Sequence, residues 1–152
     1  MTPPNPIMLQ AWLAISAALL LAAFVPPCHA QAAVINATQA AFLEDCQKAW
    51  GKTLPGWARG SYCDKISGVS CDGAGMITQI SLKNETLDGP IPVSISSLTS
   101  LSDLTLTNNN LNGSIPNSIS ELSQLTFLDL SSNSFTGSIP SGIHLLPQLY
   151  YL

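Results

Sequence analysis

Leu98-Thr-Ser-Leu101-Ser-Asp-Leu104-Thr-Leu106-Thr-Asn-Asn109-Asn-Leu111-Asn-Gly113-Ser-Ile115-Pro116 is the stretch from which the rest of the chain can be read. Its key positions return every 24 residues: Ile80, Leu82, Leu87, Gly89, Ile91, Pro92 and Ile95 precede it in matching places, and Leu128, Leu130, Phe135, Gly137, Ile139, Pro140 and Ile143 follow. Self-similarity at such a period signals a solenoid, whose units bury their apolar faces only by stacking on one another. Within one unit, Leu104 and Leu106 alternate as in a strand. Asn109 and Asn133 come three residues after the strand pair. An amide that both donates and accepts can satisfy the backbone groups of a buried turn and of the coil beside it. Gly113 permits a tight bend and Pro116 starts a new direction. Each coil is therefore expected to carry one strand and at least two corners.

The quoted stretch resembles the plant-type leucine-rich repeat, written L-x-x-L-x-x-L-x-L-x-x-N-x-L-x-G-x-I-P. The resemblance implies an α/β fold: a right-handed leucine-rich-repeat solenoid of short parallel strands, preceded by a helical, disulfide-bearing N-terminal cap. It also implies a recognition surface on the concave sheet, as in extracellular receptors and inhibitors. The first unit departs from the pattern, because Glu85 stands where Asn belongs. A buried carboxylate is costly unless paired or protonated, so that coil is expected to be looser and more solvated.

Three segments follow from this reading: a signal peptide over 1–30, a plant-type cap over 31–76, and three 24-residue repeats plus the start of a fourth over 77–152. Residues 1–30 contain no Asp, Glu, Lys or Arg, and an apolar run from Ala11 to Val25 leads to Cys28-His29-Ala30, with cleavage expected after Ala30. The run is short of the roughly 20 residues that span a bilayer; extended back to Ile7, it leaves an uncleaved anchor as the alternative.

In the cap, Thr38 can start a helix running to Trp50, with Phe42, Leu43, Cys46, Ala49 and Trp50 on one stripe covering the first coil and Gly51 past its end. The run Cys63-Asp-Lys-Ile66-Ser-Gly68-Val69-Ser-Cys71 resembles the family's C-x-W-x-G-V-x-C signature, with one extra residue and Ile66 in place of tryptophan. Once the signal is removed, Cys46, Cys63 and Cys71 remain, and three cannot all pair within one chain. The resemblance implies a Cys63–Cys71 disulfide, worth about 2 to 3 kcal/mol on the chain-entropy model. Cys46 is left over, either as a buried free thiol or as a residue bonded outside this chain.

All five bases and nine acids lie beyond residue 30, giving plus one up to Lys83 and minus five after it. There is no basic track for nucleic acid phosphates. The sequence has no G-x-S-x-G elbow, no phosphate-cradling loop and no histidine pair at ligand spacing, so neither catalysis, nor a metal site, nor a cofactor is expected. Asp72-Gly73-Ala74-Gly75 reads as a turn between cap and first coil.

Three ladders are the binding candidates, since the unlettered strand positions point away from the core: Gln79, Asp103, Phe127 and Tyr151; Ser81, Thr105 and Asp129; Lys83, Thr107 and Ser131. An aromatic pair beside an acid offers anchor area plus a polar handle. Sequons at Asn36, Asn84 and Asn112 are candidate N-glycan sites, Asn84 at the margin of the strand face.

Leu146, Leu149 and Leu152 open a fourth unit. Together with the family resemblance, they suggest the front of a longer receptor kinase or receptor-like protein, with any kinase domain or membrane span outside this chain. A small secreted inhibitor resembling polygalacturonase inhibitors, and a structural cell-wall glycoprotein, are the alternatives. Expected partners are a peptide, glycan or protein ligand, or a co-receptor.

Overall fold

The computed structural model describes residues 37–54, 57, 63 and 68–152. The expectations for the signal peptide, for the sequon at Asn36 and for Ile66 lie outside the described residues.

Helix α1 (Ala37–Trp50) begins one residue before Thr38, which therefore sits inside the first turn rather than at its cap. Phe42, Leu43, Cys46 and Trp50 recur at helical spacing, and all four are buried. Gly51, at φ +59°, ends the helix in the left-handed conformation that suits glycine. The helix docks on the first coil through polar links as well as apolar ones. Gln39 Oε1 accepts the Ile77 N–H at 2.9 Å, and Trp50 Nε1 donates to Pro90 O at 3.0 Å. Trp50 and the buried Trp57 lie with ring centroids 6.4 Å apart.

After α1 come β1 (Val69–Cys71), still within the cap, then β2 (Ile77–Ser81), β3 (Asp88–Gly89), the 3-10 helix η1 (Val93–Ser97), β4 (Asp103–Thr105) and β5 (Asn110–Ser114). It continues through η2 (Asn117–Glu121), β6 (Phe127–Asp129), β7 (Ser134–Thr136) and η3 (Ser141–Leu145). One sheet has the order β1-β2-β4-β6; β1 runs antiparallel to β2, and the other pairs are parallel. Cys63 and Cys71 form the expected disulfide, which ties Cys63 to the end of β1. Cys46 is free and buried.

A second sheet, β3-β5-β7, was not expected. Its strands hold Asp, Asn, Gly, Ser and Thr, mostly residues of low strand propensity, so nothing in their composition announces them. Stacking makes them strands: each coil pairs with its neighbour, as in Gly89↔Leu111 and Gly113↔Phe135. Gly89, at φ +122°, lies against the helix end, where a Cβ would meet Ala49 O at 2.5 Å. After each I-P dipeptide a 3-10 turn points one isoleucine inward, and Ile95, Ile119 and Ile143 are all buried. The leucines form one continuous core from Leu43 to Leu146.

Two inter-coil ladders hold the stack in register. Asn109 Nδ2 donates to Leu82 O at 2.7 Å and Leu106 O at 2.9 Å, while its Oδ1 accepts the N–H groups of Glu85 and Leu87 at 2.9 and 3.1 Å. Asn133 repeats this one coil on, donating to Leu106 O and Leu130 O and accepting from Leu111 N–H. The other ladder is made of hydroxyls 24 residues apart: Thr126 Oγ1 donates to Ser102 O at 2.9 Å, and Ser102 Oγ lies 3.0 Å from Thr78 O.

The expected loosening around Glu85 does not occur, for Leu82 is 3 % exposed and Leu87 fully buried. The Glu85 and Leu87 amides are met by Asn109 of the next coil, as the Leu111 amide is met by Asn133, so they do not depend on which residue stands at position 85. The Glu85 carboxylate meanwhile turns outward to Lys52 Nζ at 3.5 Å. The departure leaves one strained point. Thr86 sits at φ +54°, an outlier for a β-branched residue.

Candidate functional site

The face of the β1-β2-β4-β6 sheet opposite the leucine core carries the residues read as binding candidates. Its register joins them as expected, Gln79↔Asp103↔Phe127↔Tyr151 in one row and Ser81↔Thr105↔Asp129 in the next. The third row, Lys83, Thr107 and Ser131, follows the same stagger: Asn84 N–H donates to Thr107 O and Asn108 N–H to Ser131 O. Gln79, Ser81, Lys83, Ser131 and Tyr151 are exposed, whereas Asp103, Thr107, Phe127 and Asp129 are half-buried.

Thr105 is a correction, because it is only 6 % exposed. It is a short side chain at the middle of the middle row, on the central of three paired strands between Ser81 and Asp129, so it lines the floor of this face. Alternation of the backbone tells which side a residue points to, but not how deep its neighbours leave it.

Phe127 and Tyr151 stack with centroids 4.3 Å apart and planes 7° apart, close to the spacing of neighbouring strands. Tyr150 meets Phe127 edge-on at 6.5 Å. Carboxylates flank this aromatic group on two sides. Asp103 precedes Phe127 in the same row, its Oδ2 2.5 Å from Ser102 Oγ. Asp129 lies two residues on from Phe127 along the strand, its Oδ1 accepting the Ser131 hydroxyl at 2.6 Å and the Ser131 N–H at 3.0 Å. Those bonds from Ser131, hydroxyl first and backbone second, hold the Asp129 carboxyl below the usual carboxylate range. The roles of Ser102 and Ser131 in orienting these acids were missed at the sequence level; their trace is the hydroxyl residue that stands beside or two residues from each Asp.

The Cys46 thiol is pushed well up by burial, and secondarily by Asp45, so it is neither nucleophilic nor a ready ligand. Among the described residues no group of three His, Cys, Asp or Glu side chains could hold a metal ion, and no helix is long and apolar enough to cross a membrane. Asp72 Oδ1 accepts the Ala74 and Met76 N–H groups, as a turn requires. A groove of about 890 Å³ lies on the side of the coils along Pro90, Val93, Ser114, Pro116 and Ser138. It has no titratable lining, so the chemistry of this molecule is concentrated on the sheet face instead.

Asn84 is exposed at φ +59°, and its side-chain oxygen accepts from Asn108. Asn112 is half-buried, its amide donating to Asp88 Oδ1 at 2.8 Å.

Comparison with known proteins bears on this geometry. Residues 100–122 and 124–146 match the Leucine Rich Repeat family. A chain of the BIR3–SERK2 complex from Arabidopsis thaliana is 35 % identical, with a TM-score of 0.59 over 74 % of this chain and 63 % of that one. The ectodomain of the receptor kinase SOBIR1 from the same plant is 29 % identical, with a TM-score of 0.62 over 76 % of this chain and 64 % of that one. A chain of the Arabidopsis complex of the receptor kinase HAESA, the peptide hormone IDA and the co-receptor SERK1 is 32 % identical, with a TM-score of 0.66 over 77 % of this chain and 21 % of that one. The present chain thus spans less than two thirds of each of these relatives. No curated protein matches at the level of sequence.

Proposed function

The chain is a plant-type leucine-rich repeat protein, and on that premise we propose that its concave sheet is an extracellular recognition surface for a peptide or protein ligand, with a co-receptor as a further partner. The observation that carries this reading is the in-register face of three rows, polar at the margins and aromatic at one end, on a scaffold fixed by stacked backbone bonds. Rigid elements that present short polar side chains around a partly exposed aromatic anchor suit protein recognition. The relatives support it too, since HAESA is seen with a peptide hormone and a co-receptor.

The role is one of binding rather than catalysis, the usual one for such ectodomain folds. Residues 1–30 act as the secretory signal in this reading, and Asn84 carries an N-glycan in preference to Asn112, whose amide nitrogen is already engaged. Residues 31–76 serve as the cap that shields the first coil, and 77–152 as the recognition array.

The test is a binding screen of the full chain, secreted from plant cells, against an array of synthetic extended peptides. Binders are expected to be lost in Phe127→Ala or Ser81→Arg and kept in Val93→Asp, which lies on the side of the coils. Binding that tracks Val93 and ignores the concave rows would overturn the assignment.

A further inference from the structure

We propose that the concave face holds a seat for a basic side chain, arginine above all, of an extended peptide: the side chain lies against the Phe127–Tyr151 stack with Asp103 and Asp129 as its counter-charges. This rests on the recognition role assigned above and adds the chemistry of one ligand residue.

Four observations carry it. First, the aromatic group is accessible in part, Tyr151 being 47 % and Tyr150 77 % exposed, so a planar cation can reach a ring or its edge. Second, the stack axis runs along the row, and the next place on that axis beyond Phe127 belongs to Asp103. Asp129 stands on the same face, two residues from Phe127, so two carboxylates border one aromatic platform. Third, Asp129 is held by the Ser131 hydroxyl and N–H and need not reorganise to receive a donor, while Asp103 lies against Ser102 Oγ, whose single proton it shares with Thr78 O.

Fourth, neither acid is ion-paired among the described residues. The one salt bridge there joins Lys52 of the cap to Glu85 of the first coil. Lys83 acts on Asp129 through space without forming an ion pair. Two unpaired, oriented carboxylates beside a stacked aromatic pair are complementary to a guanidinium, which forks onto carboxylates and stacks on rings at once. A lysine ammonium fits less well, having no plane to lay on the rings. An uncharged sugar would use the rings but leave the charges unanswered.

The experiment takes the peptides that bind the full chain in the screen described above and replaces each of their arginines by citrulline, which keeps the shape and removes the charge. The expected result is at least one arginine per binder whose replacement weakens binding about tenfold or more, with the same loss in Asp129→Asn and Asp103→Asn and no additive loss when both sides are changed. Affinity for the parent protein should fall with rising salt, and the fall should flatten in the Asp variants. Phe127→Leu, which keeps apolar bulk, should also weaken arginine peptides, with an unchanged melting temperature as the control for folding.

Binders that lack basic residues, or that ignore both Asp→Asn changes while remaining sensitive to Ser81→Arg, would overturn this seat and leave the recognition role standing. Neutral oligosaccharides that bind at Phe127 independently of Asp129 would overturn it in favour of a glycan. Loss of concave-face binding altogether would take the recognition role with it.

Discussion

The backbone N–H of Glu85 donates to Oδ1 of Asn109, 24 residues ahead, at 2.9 Å. Each inward asparagine thus serves the coil before it as well as its own, Asn133 doing the same for Leu111, and the cost of losing Asn109 falls on two coils.

Asn109→Ala should therefore cost about 2–4 kcal/mol of stability, since it leaves several half-buried backbone groups without partners. Glu85→Gln, which removes only a surface pair with Lys52, should cost about 1 kcal/mol or less. Urea unfolding of the two variants compares them directly, and equal effects would show that Asn109 does not bridge the coils.

Gly89 and Gly137 occupy the same place in two coils yet should not tolerate alanine alike. At Gly89 a Cβ would meet Ala49 O at 2.5 Å, whereas at Gly137 the nearest atom is Ser114 Cβ at 3.7 Å. Both are strained by positive φ, about 1–2 kcal/mol for an L side chain; only Gly89→Ala adds a clash with helix backbone. Thermal melts should show the larger drop for Gly89→Ala.

Asp129 has a folded pKa below its unfolded value of about 3.9, so its carboxylate adds stability at neutral pH, and that contribution is lost as pH falls through the folded value. Asp129→Asn should accordingly shrink the difference in melting temperature between pH 7 and roughly pH 2. An unchanged difference would mean that Ser131 does not hold the anion.

Cys46 should stay silent towards an aromatic disulfide reagent in the native protein and react stoichiometrically in urea, because burial disfavours its thiolate. Cys46→Ser, which places a hydroxyl among Leu43, Trp50 and their neighbours, should destabilise by about 1–3 kcal/mol. Fast labelling of the folded chain would contradict the packing of α1.

Asn84→Gln should lower the mass of the secreted protein by one N-glycan, while Asn112→Gln should leave it unchanged apart from the substitution. Mass spectrometry with and without deglycosylation reads both.

Much of this was legible because a 24-residue repeat converts sequence spacing directly into register. Once Leu104 was aligned with Leu128, the pairing of Asp103 with Phe127 followed without further assumption, and so did the inward turn of Asn109 and Asn133. What stayed hidden depends on neighbours in space. The β3-β5-β7 strands are strands because each pairs with the strand of an adjacent coil, Thr105 is covered by strands in register on both sides, and the Glu85 carboxylate meets Lys52 of the cap. No window of local sequence contains those partners.

Strand β1 runs against the direction of the other strands of its sheet. It is also only three residues long, with a register irregularity between Ser70 and Cys71, and so short and irregular a strand is a poor template for the strands of a second molecule. Growth of the parallel array past that end by addition of another copy is thereby discouraged.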